Sequence, residues 1–122
     1  MIWVRGEVIS DESLSISVLD RTFEHGLGLF ETLRTWNRHA TLLQRHLERL
    51  DRSAHDLNIP LDRKWLPTAK GIAALLEADG RDGDAMLRIT VSGGQAEDGS
   101  SVLWMRSLPL PPPTDAAGWT AD

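Results

Sequence analysis

Arg45, Arg49 and Arg52 fall within two helical turns of one another, and His46 stands beside them. A guanidinium presents a planar fork of donors, so a local cluster of this kind suits one small anion such as a phosphate. Arg49 borders the apolar stripe at Leu50, and the pattern alone reads it as a solvated charge lying over that leucine. Arg34 shares a strand-like face with Phe30, Thr32 and Trp36, where a buried arginine needs an anionic partner or ligand. Glu31 points to the opposite face and cannot serve Arg34 within the same strand. Gly26-Leu27-Gly28 and Ser92-Gly93-Gly94 are able to bring backbone N–H groups near a phosphate, yet each reads more simply as a turn. His25, His39, His46 and His55 are scattered with no flanking carboxylate at a metal-binding spacing, so no metal site is predicted. Cysteine is absent, which removes thiolate nucleophiles, disulfides and thiolate metal sites.

These residues must be held by short, alternating elements. Ile2 to Val4 and Glu7 to Ile9 flank Arg5-Gly6 as two strands around a tight turn, and Leu14 to Leu19 continues in extended style. Asp20 is a candidate N-cap for one helical turn that breaks at Gly26 and Gly28. Leu29 to Trp36 alternates as a strand, and Asn37-Arg38-His39 turns the chain back through Ala40 to Leu43. From Gln44 the period becomes helical, with Leu43, Leu47, Leu50, Ala54 and Leu57 on one side and charges on the other. A second helix is predicted after Pro60, with Trp65, Leu66, Ala69, Ile72, Ala73 and Leu76 on one face and Gly80 as its stop. Ala85 to Ser92 alternates, setting Arg88, Thr90 and Ser92 against Leu87, Ile89 and Val91, and Val102 to Leu108 is the last strand. The expected architecture is α+β: a mixed, largely antiparallel sheet with two helices packed on one side. Residues 1–108 form the domain, and 109–122, opening with Pro109-Leu110-Pro111-Pro112-Pro113, reads as a linker.

At 122 residues there is room for one core. A net charge of −5 disfavours nucleic acid, whose binding needs a basic face. No run approaches a membrane span and no secretory leader is apparent, so a cytoplasmic location is the default expectation.

Three ordered motifs carry a resemblance. Leu19-Asp20-Arg21, then His25-Gly26-Leu27-Gly28-Leu29-Phe30-Glu31-Thr32-Leu33-Arg34, then His46-Leu47-Glu48-Arg49-Leu50 resemble the N-terminal domain of the class IV aminotransferase family. These fold-type IV pyridoxal-phosphate enzymes include branched-chain and D-amino-acid aminotransferases and aminodeoxychorismate lyase. The likeness runs from about Ile2 through the strand Leu87 to Ser92, with Val4-Arg5-Gly6 departing from a more usual Asn-Gly. It implies that Arg49 holds the phosphate of pyridoxal 5'-phosphate, reversing the reading from pattern alone. It implies that Phe30 lines the substrate pocket, that Arg34 and Arg88 face it, and that His25 stands where other members carry Tyr or Phe, so no tyrosine hydroxyl role transfers.

In such enzymes a lysine of the C-terminal domain forms the Schiff base with the cofactor. Only Lys64 and Lys70 occur here, both near the second helix, so no catalytic residue is assigned and the chain is expected to be an inactive N-terminal part. The full-length form is expected to be a homodimer acting on an amino acid or on aminodeoxychorismate. A non-catalytic α+β interaction module is the alternative from another class. Apolar surface is expected at Trp3, Trp65, Trp104 or Leu108.

Overall fold

The computed structural model describes residues 1–95 and 100–111. Six strands and three α-helices follow in chain order: β1 (Ile2–Val4), β2 (Glu7–Ile9), α1 (Arg21–His25), β3 (Gly28–Trp36), β4 (His39–Ala40), α2 (Leu43–Asp56), α3 (Ala69–Ala78), β5 (Ala85–Ser92) and β6 (Leu103–Pro109). The strands form one sheet in the order β2-β1-β6-β5-β3-β4, and every neighbouring pair is antiparallel. This is the expected α+β architecture, and its two hairpins explain their own sequences. Arg5 and Gly6 adopt φ of 49° and 81°, and Asn37 and Arg38 adopt 49° and 67°. Left-handed conformation at both central residues matches the twist of antiparallel strands, and glycine and asparagine tolerate it best.

Alternation decides which face is covered. Leu33 and Thr35 of β3, Ala85, Leu87, Ile89 and Val91 of β5, and Leu103 and Met105 of β6 are buried. They meet Leu47, Leu50 and Ala54 of α2 and Ile72, Leu75 and Leu76 of α3, so both long helices lie on this side. The other face keeps Phe30, Arg34, Trp36, Arg88 and Arg106 exposed.

Expectations change at particular elements. Helix α3 starts at Ala69, capped by the Thr68 side chain, which accepts from Gly71 N at 3.0 Å. Trp65 and Leu66 belong instead to a separate 3-10 turn, Arg63–Trp65, and its exit. Pro67 follows Leu66 and forces it out of the helical region, so the two apolar runs cannot join into one helix. Residues 14–19 pair with no strand. Trp3 is buried in the core, and among the described residues the exposed large apolar side chains are elsewhere, at Met1, Val18, Leu19, Phe23, Phe30, Trp36, Leu42 and Leu57. The predicted linker overlaps the sheet, because Pro109 pairs with Ala85 at the end of β6; residues 112–122 of that linker lie outside the described residues.

Sequence expectation and structure agree at Asp20, which caps α1 by accepting from Thr22 N at 2.8 Å. The same oxygen accepts from Gly94 N at 3.1 Å, and Thr22 Oγ1 accepts from Gly93 N at 2.8 Å. Arg21 donates to the carbonyls of Gly93, Gly94 and Asn58. This latch ties the start of β3 to the end of β5. It also occupies the N–H groups of Gly93 and Gly94, which supports the turn reading over an anion nest. A Cβ on Gly93 would come within 2.5 Å of the Leu27 carbonyl, so glycine is required by close packing of two backbones.

Candidate functional site

Glu31 lies on the helix-facing side of β3, where its carboxylate meets two residues one helical turn apart on α2. Arg49 donates to Glu31 Oε1 from Nε at 3.0 Å and from Nη2 at 2.8 Å, and His46 Nδ1 lies 2.9 Å from the same oxygen. Burial pushes the Glu31 carboxyl up, but the hydrogen bonds and charges of Arg49 and His46 together outweigh it and leave it below its ordinary 4.5. Arg49 itself remains 63% exposed, so its guanidinium is braced from behind and open in front. Together with Leu42, Arg45, His46, Glu48 and Arg52 it lines a depression of about 310 Å³.

Asp20 also sits below its ordinary 3.8, because hydrogen bonds from Thr22, Ser92 and Gly94 outweigh the desolvation that opposes them. Both carboxyls therefore bind protons more weakly folded than unfolded. Their contribution is fully present above about pH 4.5 and disappears as the pH falls through their lowered values. Denaturant unfolding from pH 7 to 3 is expected to show a flat plateau and then a fall starting below about 4.5, with Glu31→Gln making that fall shallower. An identical acid limb in Glu31→Gln would remove this carboxylate from the acid response.

The open face carries the other predicted residues. Arg88 lies with its guanidinium carbon 5.4 Å from the centre of the Phe30 ring, and the two are diagonal neighbours in the register Phe30↔Thr90 and Thr32↔Arg88. Arg34 stacks over Trp36 at 4.0 Å and approaches Asp84 at 3.9 Å. His25 is the last residue of α1 and is exposed, ahead of the left-handed Gly26 that ends the helix. The structure thus brings Phe30 and Arg88 together, with Arg34 on the same face. Arg49 is placed on the opposite face of β3.

What joins the two faces is an edge. β4 pairs only with Thr35 and Trp36, and Thr41 N reaches the Arg34 carbonyl at 2.9 Å. Among the described residues no strand covers the outer edge of β3 from Leu29 to Leu33. Sequence reading treated Glu31 only as a residue unable to help Arg34, and did not single out Arg106. Glu31 was findable: alternation aims it at the helix side, and His46 and Arg49 recur on α2 at a spacing of three. The two lysines line a separate groove with Trp3, Val8, Trp65 and Gly71.

Comparison with known proteins bears on the family and the fold. The chain is 33% identical over 100 residues to the aminodeoxychorismate lyase of Bacillus subtilis, covering 81% of this chain and 34% of that protein. It therefore spans about a third of the length of this curated relative. The fold matches a branched-chain aminotransferase from Thermoproteus uzoniensis with norvaline, at TM-score 0.68 and 21% identity over 90% of this chain and 40% of that one. It also matches the PLP-bound form of a hypothetical aminotransferase from Mycobacterium tuberculosis, at TM-score 0.67 and 23% identity over 91% of this chain and 40% of that one. Residues 28–121 match the description amino-transferase class IV, and with the motifs at β3 and α2 in place the chain belongs to that family.

Proposed function

We propose that these residues form the small-domain wall of a pyridoxal-phosphate-dependent class IV enzyme that transfers the amino group of a branched-chain or D-amino acid. The observation that supports this is the uncovered edge of β3 between a braced Arg49 and the Phe30 and Arg34 side. The donor set fits the phosphate of pyridoxal 5'-phosphate: Arg45, Arg49, Arg52 and His46 surround one depression against the single carboxylate of Glu48. Arg49 binds and orients that phosphate by charge-assisted hydrogen bonds, while Glu31 and His46 hold its guanidinium in place. When bound, the cofactor supplies an electron sink for charge developing at the substrate carbon. Phe30 excludes water from one wall, and Arg34 and Arg88 orient a substrate carboxylate. Neither Lys64 nor Lys70 reaches this edge, so the lysine of the reaction comes from outside these residues, which do not turn over alone. The complete protein works as a homodimer in the cytoplasm.

Aminodeoxychorismate lyase activity is the second reading, favoured by the relative in Bacillus subtilis and by the cationic open face. Pyruvate release from aminodeoxychorismate by the full-length protein, without any amino acceptor, selects the lyase. Keto-acid formation that depends on an acceptor selects the aminotransferase. Neither reaction in protein that retains the cofactor would overturn both.

A further inference from the structure

Trp3 is only 3% exposed, yet among the described residues its indole Nε1 has no hydrogen-bond partner. A buried indole N–H normally finds an acceptor, because leaving it unmet is costly. This one is not sealed from solvent, since no fully buried side-chain nitrogen or oxygen lacks a partner among the described residues. Trp3 lines a groove of about 350 Å³ where α3 and the 3-10 turn before it meet the β1–β2 hairpin. A Cβ on Gly71 would come within 2.5 Å of Nε1, so glycine there keeps the N–H uncovered. Trp65, half-buried, is a second aromatic wall. The two lysines of the groove differ. Lys64 is engaged, with Nζ 3.7 Å from Asp62 Oδ2 and 5.2 Å from the centre of the Trp65 ring. Lys70 is exposed in the first turn of α3, and among the described residues its ammonium has no partner. None of these residues lines the depression around Arg49.

We infer that this groove is a second ligand site, separate from the cofactor and substrate residues, and that it takes a small aromatic carboxylate. Its volume falls within the roughly 300–1,000 Å³ of small-molecule sites. Two indoles offer flat apolar walls for a ring. One unmatched N–H and one unpaired ammonium suit a single carboxylate, whose two oxygens accept from Trp3 Nε1 and from Lys70 Nζ. A neutral aromatic compound satisfies the indole but leaves the ammonium without a counterion.

The test is calorimetric titration of the full-length protein with indole-3-acetate and with its neutral amide, indole-3-acetamide, alongside nitrogen–proton correlation spectra of the indole groups. The acid is expected to bind about tenfold or more tightly than the amide, as one charge-assisted contact implies, and to shift the Trp3 indole resonance. Lys70→Gln, at an exposed position, is expected to bring the acid down to the affinity of the amide. Lys64→Gln is expected to weaken the acid by less than about threefold, as suits an exposed charge already paired. Ala74→Phe, at an exposed position of α3 that lines the groove, is expected to block both compounds. Equal affinity for acid and amide in wild type overturns the anionic ligand, and a larger loss in Lys64→Gln than in Lys70→Gln overturns the role of Lys70. Acid binding that survives Ala74→Phe, or that leaves the Trp3 resonance unmoved, overturns the groove as the site, and so does the binding of neither compound.

Discussion

Asp20→Ala is expected to lower unfolding stability by roughly 3 kcal/mol, the largest loss from any single truncation in the loop before β3. One oxygen of this side chain, on a residue only 3% exposed, accepts from Thr22 N and from Gly94 N. Removing it uncaps α1 and leaves two backbone donors without that acceptor, the Gly94 N–H buried and the Thr22 N–H part-buried. An unmet buried donor costs about 1–3 kcal/mol, and a lost N-cap about 1 kcal/mol. Asp20→Asn keeps an acceptor oxygen and loses only the charge, so it is expected to retain at least half of the lost stability. Urea unfolding of the two variants beside wild type separates the causes. If Asn proves as damaging as Ala, charge outweighs the hydrogen-bond geometry, and the latch between α1 and the end of β5 is wrongly described.

That latch shows why part of the fold was legible and part was not. Asp20 could be read as a cap because the signal is local: a short acceptor side chain ahead of a helical turn. Its second bond, to Gly94, spans the whole middle of the chain and has no periodic trace. The strands β3 and β5 were readable because burial on one face imposes a period of two on Leu29 to Leu33 and on Leu87 to Val91. Helix α2 was readable for the same reason at a period near four. The second helix was extended too far because Leu66 packs against the core and Trp65 is half-buried, yet neither is α-helical; an apolar position reports burial, and Pro67 was the local sign that the backbone differs. Trp3 looked like a terminal aromatic free to be exposed, but strand pairing of β1 with β6 carries it inward beside Gly71, which has no Cβ to obstruct the indole. The candidate site divides likewise. Arg49, Phe30 and Arg34 were nameable from motifs, whereas the uncovered edge that relates them depends on β4 being only two residues long.

Arg49→Ala in the full-length protein is expected to weaken retention of pyridoxal phosphate by about 10- to 100-fold, the loss of a charge-assisted partner worth roughly 1.5–3 kcal/mol. Glu31→Gln tests how Arg49 is prepared for that role. Gln keeps the size and one acceptor oxygen but not the charge that draws Arg49 Nε and Nη2 and His46 Nδ1 to a single atom. A looser guanidinium loses part of its preorganisation, so the cofactor is expected to dissociate several-fold faster, an effect smaller than that of Arg49→Ala. Glu31 is a positioning residue in this view, and its whole effect passes through its partners on α2. In the Arg49→Ala background, Glu31→Gln is therefore expected to change cofactor retention far less than it does alone, because residues in one hydrogen-bonded network are not additive. Dialysis followed by cofactor absorbance measures all four corners of this cycle without requiring turnover. Full retention in Arg49→Ala would remove the arginine from the phosphate site, and strictly additive losses would show that Glu31 acts on the cofactor by some route other than Arg49.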